Sequence, residues 1–362
     1  MSYTNGLDKP SEYFNTVLYT GNATDNHTIT GVNFQPDWVW VKGRSEVSSH
    51  RLNDAVRGAG KELLTNTSGA EYTYSPNTSL KSFDSDGFTL GTDNGINKSG
   101  VTYASWSWLA SNTTASNTDG SITSTVSANT TSGFSIVSYT GTANANETVG
   151  HGLNSTPDIV LIKNRDRATD WPVINPRRTS TVDTNMTYFN TTSIETDHNN
   201  IMGDNLPNAT TFGIDDDTSV NVNGENFIAY CWHSVKGFSS FGSYQGSGNA
   251  DGPFIYTGFK PAMVIIKNMT QGEDWNIGDN KRNITYPSGA NVNNAELKAN
   301  TSGAEVDRSI RGGGITQYDM LSNGIKLRGS NPETNFSGHS YIYMAFAESP
   351  LVGTNNTPAT AR

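Results

Sequence analysis

Pro36-Asp-Trp-Val-Trp-Val-Lys42, Pro157-Asp-Ile-Val-Leu-Ile-Lys163 and Pro261-Ala-Met-Val-Ile-Ile-Lys267 are three versions of one string. Each packs four or five apolar residues between a proline and a lysine. A run that short, bounded by turn residues, reads as a strand covered on both faces. Its recurrence organises the rest of the chain. A Tyr-Thr-Gly or Tyr-Gln-Gly triplet precedes each copy, at Tyr19–Gly21, Tyr139–Gly141 and Tyr244–Gly246, with Tyr-to-Pro spacings of 17, 18 and 17. Asn66-Thr-Ser-Gly-Ala-Glu71 follows the first copy, Asn190-Thr-Thr-Ser-Ile-Glu195 the second, and Asn300–Glu305 repeats the first string letter for letter. An aromatic-rich strand closes each unit, at Tyr103–Trp108, Phe227–Trp232 and Tyr341–Phe346.

The prolines lie 121 and 104 residues apart. A unit of that size can build its own core, unlike a solenoid repeat. The sequence therefore predicts an all-β chain of three tandem β-sandwich, jelly-roll-like domains of one repeated fold. The boundaries are an arm over 1–12, domains over 13–111, 133–236 and 237–350, a Ser/Thr/Asn-rich linker over 112–132 and a tail over 351–362. Within the linker, Ser121-Ile-Thr-Ser-Thr-Val126 alternates and also reads as a strand. In the aromatic strand, the face carrying Trp106 and Trp108, Tyr230 and Trp232, and Met344 and Phe346 is assigned to the core. Trp38 and Trp40 belong to the core too, because their counterparts are aliphatic. Asp86-Gly87, Asn94-Gly95, Asn223-Gly224 and Asn323-Gly324 are hairpin-turn signals.

Composition agrees. Asn and Thr account for 85 of the 362 residues, and only 16% are charged, well under the roughly 25% of ordinary domains. Thr suits strands, and Asn and Gly suit turns. The net charge of −10 and the absence of a basic cluster speak against nucleic acid as a partner. No apolar run of about 18 residues predicts a membrane span. No N-terminal stretch reads as a Sec-type signal peptide. A single cysteine, Cys231, excludes an intrachain disulfide.

Few residues suggest chemistry. The six histidines lack metal-ligand spacing, and no nucleophile elbow or phosphate loop occurs, so neither catalytic residues nor a cofactor nor a metal is expected. His233 ends an aromatic strand and reads as a surface residue. The Asp84/Asp86 and Asp215–Asp217 groups carry a fragment of a calcium loop, but read better as turn caps. Trp171 and Trp275, each preceded by Asp, read as either core or partly exposed; in the exposed reading they are the residues nominated for ligand contact, as stacking platforms. Arg57 and Lys61, Arg177–Arg178 and Lys281–Arg282, with Asp54, Asn175 and Asp279 before them, form a recurrent polar loop, read as structural or as an inter-domain contact.

Three strings of the first unit carry a resemblance: Gln35-Pro-Asp-Trp-Val-Trp-Val-Lys42, Val56-Arg-Gly-Ala-Gly-Lys61 and Ser82-Phe-Asp-Ser-Asp-Gly-Phe-Thr89. Thr118-Asp-Gly-Ser-Ile-Thr123, Gly133–Gly141 and Gly237–Tyr244 extend it over nearly the whole chain. These resemble an uncharacterised β-sandwich repeat module of marine bacteriophage structural and tail-fibre-like proteins. The resemblance implies a non-enzymatic virion structural protein, made in the host cytoplasm and placed in a tail or tail fibre. It implies other virion proteins as partners, a homo-oligomer such as a trimer, and contact with host surface glycans. The arm and tail are its candidate docking segments. A capsid decoration or head-fibre protein and a secreted carbohydrate-binding module are the alternatives.

Overall fold

The computed structural model describes residues 7–74, 78–175, 185–203, 205–282, 292–307 and 317–352. Among these residues, unit one holds β1 (Phe14–Thr20), β2 (His27–Thr30), β3 (Trp38–Gly43), β4 (Arg51–Asp54), β5 (Lys61–Leu64), β6 (Tyr72–Thr73), β7 (Leu80–Asp84), β8 (Gly87–Leu90), α1 (Asn94–Asn97) and β9 (Thr102–Trp108). Unit two holds β10 (Ala115–Asn117), β11 (Ser124–Asn129), β12 (Phe134–Thr140), β13 (Glu147–Gly150), β14 (Ile159–Asn164), β15 (Pro172–Ile174), β16 (Asn185–Tyr188), β17 (Thr196–Asp197), α2 (Asn199–Met202), β18 (Thr211–Ile214) and β19 (Asn226–Trp232). Unit three holds β20 (Ser239–Gln245), β21 (Phe254–Tyr256), β22 (Phe259–Asn268), β23 (Asn276–Asp279), β24 (Val292–Asn293), β25 (Ala295–Lys298), β26 (Val306–Asp307), β27 (Tyr318–Leu321), β28 (Gly324–Leu327) and β29 (Ser340–Pro350).

The three sets repeat one antiparallel plan. Large sheets run β1-β9-β3-β4-β5-β6, β10-β11-β12-β19-β14-β15-β16-β17 and β20-β29-β22-β23-β25-β26. Small sheets run β2-β8-β7, β13-β18 and β21-β28-β27-β24. Strands β1, β12 and β20 pair with the aromatic strands β9, β19 and β29, which pair in turn with the Pro-to-Lys strands β3, β14 and β22.

The aromatic strand is buried on both faces. Trp106, Trp108, Tyr230, Trp232, Met344 and Phe346 point into one central cluster shared by all three units, joined there by Trp38 and Trp40. The opposite face, with Tyr103, Phe227 and Tyr341, packs under its own small sheet in three separate outer clusters. The sequence reading placed one face in a core; the structure gives the second face a core as well. Trp38 and Trp108 meet edge to face with centroids 4.5 Å apart, and Phe14 of unit one stacks on Phe346 of unit three at 5.1 Å.

Other differences are local. Asn94-Gly95 opens α1 instead of a hairpin, with Asp93 accepting from the Gly95 N–H at 2.6 Å. The 112–132 stretch carries β10 and β11, which extend the large sheet of unit two, and its Ile122 and Val126 enter that unit's outer core. The arm's described part does not project: Leu7 is buried in the central cluster, and the Pro10–Glu12 turn packs on β1 and β29. Of the tail, only Leu351 and Val352 fall within the described residues.

The glycine of the first anchor is explained by close approach. A Cβ on Gly21, Gly141 or Gly246 would lie 2.2–2.4 Å from the carbonyl oxygen of Lys98, Val222 or Phe336. The tyrosine two residues earlier donates to a backbone carbonyl: Tyr19 to Ile96 at 2.8 Å, Tyr139 to Val220 at 2.7 Å and Tyr244 to Thr334 at 2.5 Å.

Trp108 is 2% exposed where the sheets of units one and three meet. Trp108→Ala should cost about 3–5 kcal/mol, the usual range for deleting a buried indole. Its denaturant midpoint should fall in a single transition as the shared core fails; separate transitions for the units would show that they unfold apart.

Candidate functional site

The most elaborate polar chemistry lies where one unit meets the next. Strand β3 ends in Lys42, whose Nζ is fully buried and donates to the carbonyls of Gly43 at 2.8 Å and of Ser302 in unit three at 3.3 Å. Two residues on, Arg44 forms a bidentate pair with Glu305 at 2.7 and 3.0 Å. His50 Nε2 lies 3.0 Å from the Lys298 carbonyl, and Trp106 Nε1 donates to Asp279 Oδ2 at 3.0 Å. Unit one thus grips unit three.

Unit two grips unit one in the same way. Arg165 forms the bidentate pair with Glu71 at 2.8 and 3.0 Å. Trp171, at the position of His50, donates through Nε1 to the Thr67 carbonyl at 3.0 Å. Tyr230, at the position of Trp106, donates to Asp54 Oδ2 at 2.6 Å. Unit three grips unit two with a reduced set. Lys267 Nζ donates to Thr192 O at 3.2 Å and Trp275 Nε1 to Tyr188 O at 2.9 Å, but Met269 replaces the arginine and Met344 the indole or phenol. The three joints close a ring. In units one and three the lysine of the second anchor meets the neighbour's third anchor, whereas Lys163 of unit two donates within its own unit, to the Arg167 carbonyl at 3.1 Å.

Two of the joints are braced from behind. Asp54 accepts from Arg57 Nε at 2.5 Å, and Arg57 reaches Glu71 at 3.2 Å. Asp279 accepts from Arg282 Nε at 2.5 Å, and Arg282 reaches Glu305 at 3.0 Å. This is the recurrent polar loop, and in units one and three it is an inter-unit contact. Asn175 stands at the aspartate's position in unit two, and Arg177–Arg178 lie outside the described residues. Burial pushes the Glu71 carboxyl up, but the bonds from Arg165 and the charge of Arg57 outweigh it and leave it below the usual range.

Trp171 and Trp275 are 0% and 1% exposed. Their rings fill the shared core and their N–H groups are spent across the joints, so neither presents a stacking face. Their backbone N–H groups donate to Asn190 and Asn300, as that of His50 does to Asn66, each at 2.8–2.9 Å. The anchor asparagine therefore positions the residue that crosses to the neighbour. Sequence reasoning missed Arg44 and Arg165; the signal was a basic residue two places after the anchor lysine in two units of three.

Of the acidic groups, Asp217 caps its own turn, whereas Asp86 ties its turn to the loop that follows β2. Asp86 accepts from the N–H groups of Gly31 and Asn33, and Asp217 from Ser219. Among the described residues no three His, Cys, Asp or Glu side chains are grouped to hold a metal, and no helix is long and apolar enough to cross a membrane. His233 is half-buried beside its strand end. Cys231 is buried, and burial pushes its thiol up. At the centre of the ring lies an apolar cavity of about 20 Å³, lined by tryptophans of all three units, two phenylalanines and aliphatic neighbours. It has room for about one water and offers it no polar partner. Among the described residues, the indole N–H groups of Trp38, Trp108 and Trp232 meet no hydrogen-bond acceptor. Their rings meet edge to face, a geometry in which an N–H can be received by a neighbouring π-face.

A family model for a domain of unknown function, DUF7483, matches residues 9–350, from the buried arm to the last strand of the ring. The chain belongs to the DUF7483 family. No curated protein and no solved structure matches this DUF7483 chain.

The joints carry a pH signature. Burial lowers Lys42, Lys163 and Lys267 to about 8. An unfolded lysine titrates near 10.5, so between pH 8 and 10.5 the unfolded chain binds more protons than the folded one. Stability should therefore rise with pH through that window, by at most about 1.4 kcal/mol per pH unit per lysine. Urea midpoints at pH 7.5 and 9.5 test this, and a Lys42→Met, Lys163→Met, Lys267→Met variant should lose the rise. His50 acts at the other end. Burial and the Lys42 charge hold it well below 6.5, so stability should fall as pH drops below about 6.5, and His50→Gln should blunt that fall. Asp54→Ala leaves the buried Arg57 and the Tyr230 hydroxyl short of an acceptor, and should cost about 3–5 kcal/mol by denaturant unfolding.

Proposed function

We propose that the chain is a non-enzymatic structural component of a bacteriophage particle, part of a tail or tail-fibre-like appendage. The observation that carries this reading is the ring of joints. Three alike units are locked through buried lysines, bidentate Arg–Glu pairs and one shared aromatic core. Such a body resists relative motion of its parts, which suits a load-bearing building block. Its three buried lysines are spent on backbone carbonyls beside the joints. The resemblance to phage repeat modules supports the setting. Other virion proteins, further copies in a trimer and host surface glycans are the partners of this reading.

Antibody–gold labelling of purified particles, read by electron microscopy, should place the chain on the tail. Label on the head would favour the decoration or head-fibre role. Absence of the chain from particles would sink the assignment to a virion.

A further inference from the structure

The small sheets have one edge in common, and the chain treats it differently in each unit. In unit two that edge is β13, and a segment from the preceding stretch is seated on it. Ile122 N donates to the Thr148 carbonyl at 3.0 Å, and Ser121 N and Oγ exchange bonds with Thr148 Oγ1 and N at 3.0 and 2.9 Å. Ser124 Oγ donates to the Gly150 carbonyl at 2.7 Å, and Ile122 bridges Val149 in parallel. The edge is closed by an extended strand of this chain.

Strand β21 is the same edge in unit three. Ile255 pairs with Ile325 as Val149 pairs with Phe212, and both point into their outer cores. Phe254 therefore stands where Thr148 does and Tyr256 where Gly150 does, with their free backbone groups turned outward. Unit three follows β19 after only a few residues and has no preceding stretch to supply a cap. β21 ends its sheet, and among the described residues no strand lies beyond it. Phe254 is 43% and Tyr256 61% exposed. The matching edge of unit one, β2, carries the hydroxyls of Thr28 and Thr30 at these positions, a surface suited to water. Natural sheets blunt their edges with charge or polarity; β21 instead presents two aromatic rings.

We propose that β21 is a docking edge for an extended, uncharged segment of a partner protein. The segment pairs by backbone hydrogen bonds as Ser121-Ile122 pairs with β13, with a β-branched apolar residue in the place of Ile122. Main-chain bonds give such strand addition its affinity, and the flanking side chains its selectivity. Tyr256 fills the space that Gly150 leaves for Asn117, so the arriving strand lies beside β21 and its side chains pack against the two rings. The proposal does not depend on where the protein resides.

The probe is a fluorescein-labelled peptide of residues Gly120–Thr125, the segment that closes the equivalent edge, titrated into the full chain. Saturable binding is expected, weakened at least tenfold by Tyr256→Pro, which removes an outward N–H, and unchanged by Thr28→Pro on the bare edge of unit one. A Phe254→Lys, Tyr256→Lys variant gives the same reading should the proline variant fail to fold. No saturable binding up to about 1 mM, or equal binding by wild type and both β21 variants, overturns the proposal. So does glycan-array binding that needs Phe254 and Tyr256 without any peptide binding, which would make the two rings a sugar platform.

Discussion

The interaction on which the rest depends is the burial of the aromatic strand on both faces. A strand in a sandwich ordinarily has a solvated side. Here Trp106, Tyr230 and Met344 look toward the ring centre, while Tyr103, Phe227 and Tyr341 look outward under the small sheets. A sheet covered on both sides must bring its polar ends inside as well, and buried charges need partners. The lysine that ends each Pro-to-Lys strand is fully buried for this reason. Backbone carbonyls hold all three ammonium groups, and in two units one of those carbonyls belongs to the neighbour. The joints follow from the covered sheet.

The joints are unequal, and the inequality is chemical. Two of them combine a bidentate Arg–Glu pair with a donor to a buried aspartate that is itself bound to arginine. The third pairs Met269 with Glu195 by backbone alone and sets Met344 where a donor would stand. Asn175 replaces the aspartate there. These changes agree with one another: without a donor at 344, a charged carboxylate at 175 would lose a partner, and an uncharged amide avoids that cost.

Much of this was legible in the sequence. The strand type, the threefold repeat and the burial of Trp38 and Trp40 followed from apolar runs aligned across copies. The partners were not. Nothing in a one-dimensional pattern says that Lys42 meets Ser302, because the repeat makes Ser68, Thr192 and Ser302 equivalent candidates. For the same reason Trp171 and Trp275 stood open between core and surface: a tryptophan behind an aspartate in a loop finds its place only once the neighbouring unit is there. The arm misled in the opposite sense. Its Leu7 enters the central core, where too few apolar residues precede the first strand to signal it.

The asparagine bias has a definite physical role. Asn97, Asn221 and Asn335 are buried, and each accepts from the backbone N–H just after the anchor glycine, at 2.9, 2.7 and 2.8 Å. Each also donates to a carbonyl of the opposing loop. Asn66, Asn190 and Asn300 do the accepting at the joints. A side-chain amide offers a donor and an acceptor without charge, so it can replace a strand partner where a covered loop leaves backbone groups unpaired. Lysine or glutamate would have to bring a counter-ion into the same space. A ring of sheets covered on both faces has many such loops, and a chain that builds it is drawn toward Asn and away from charge.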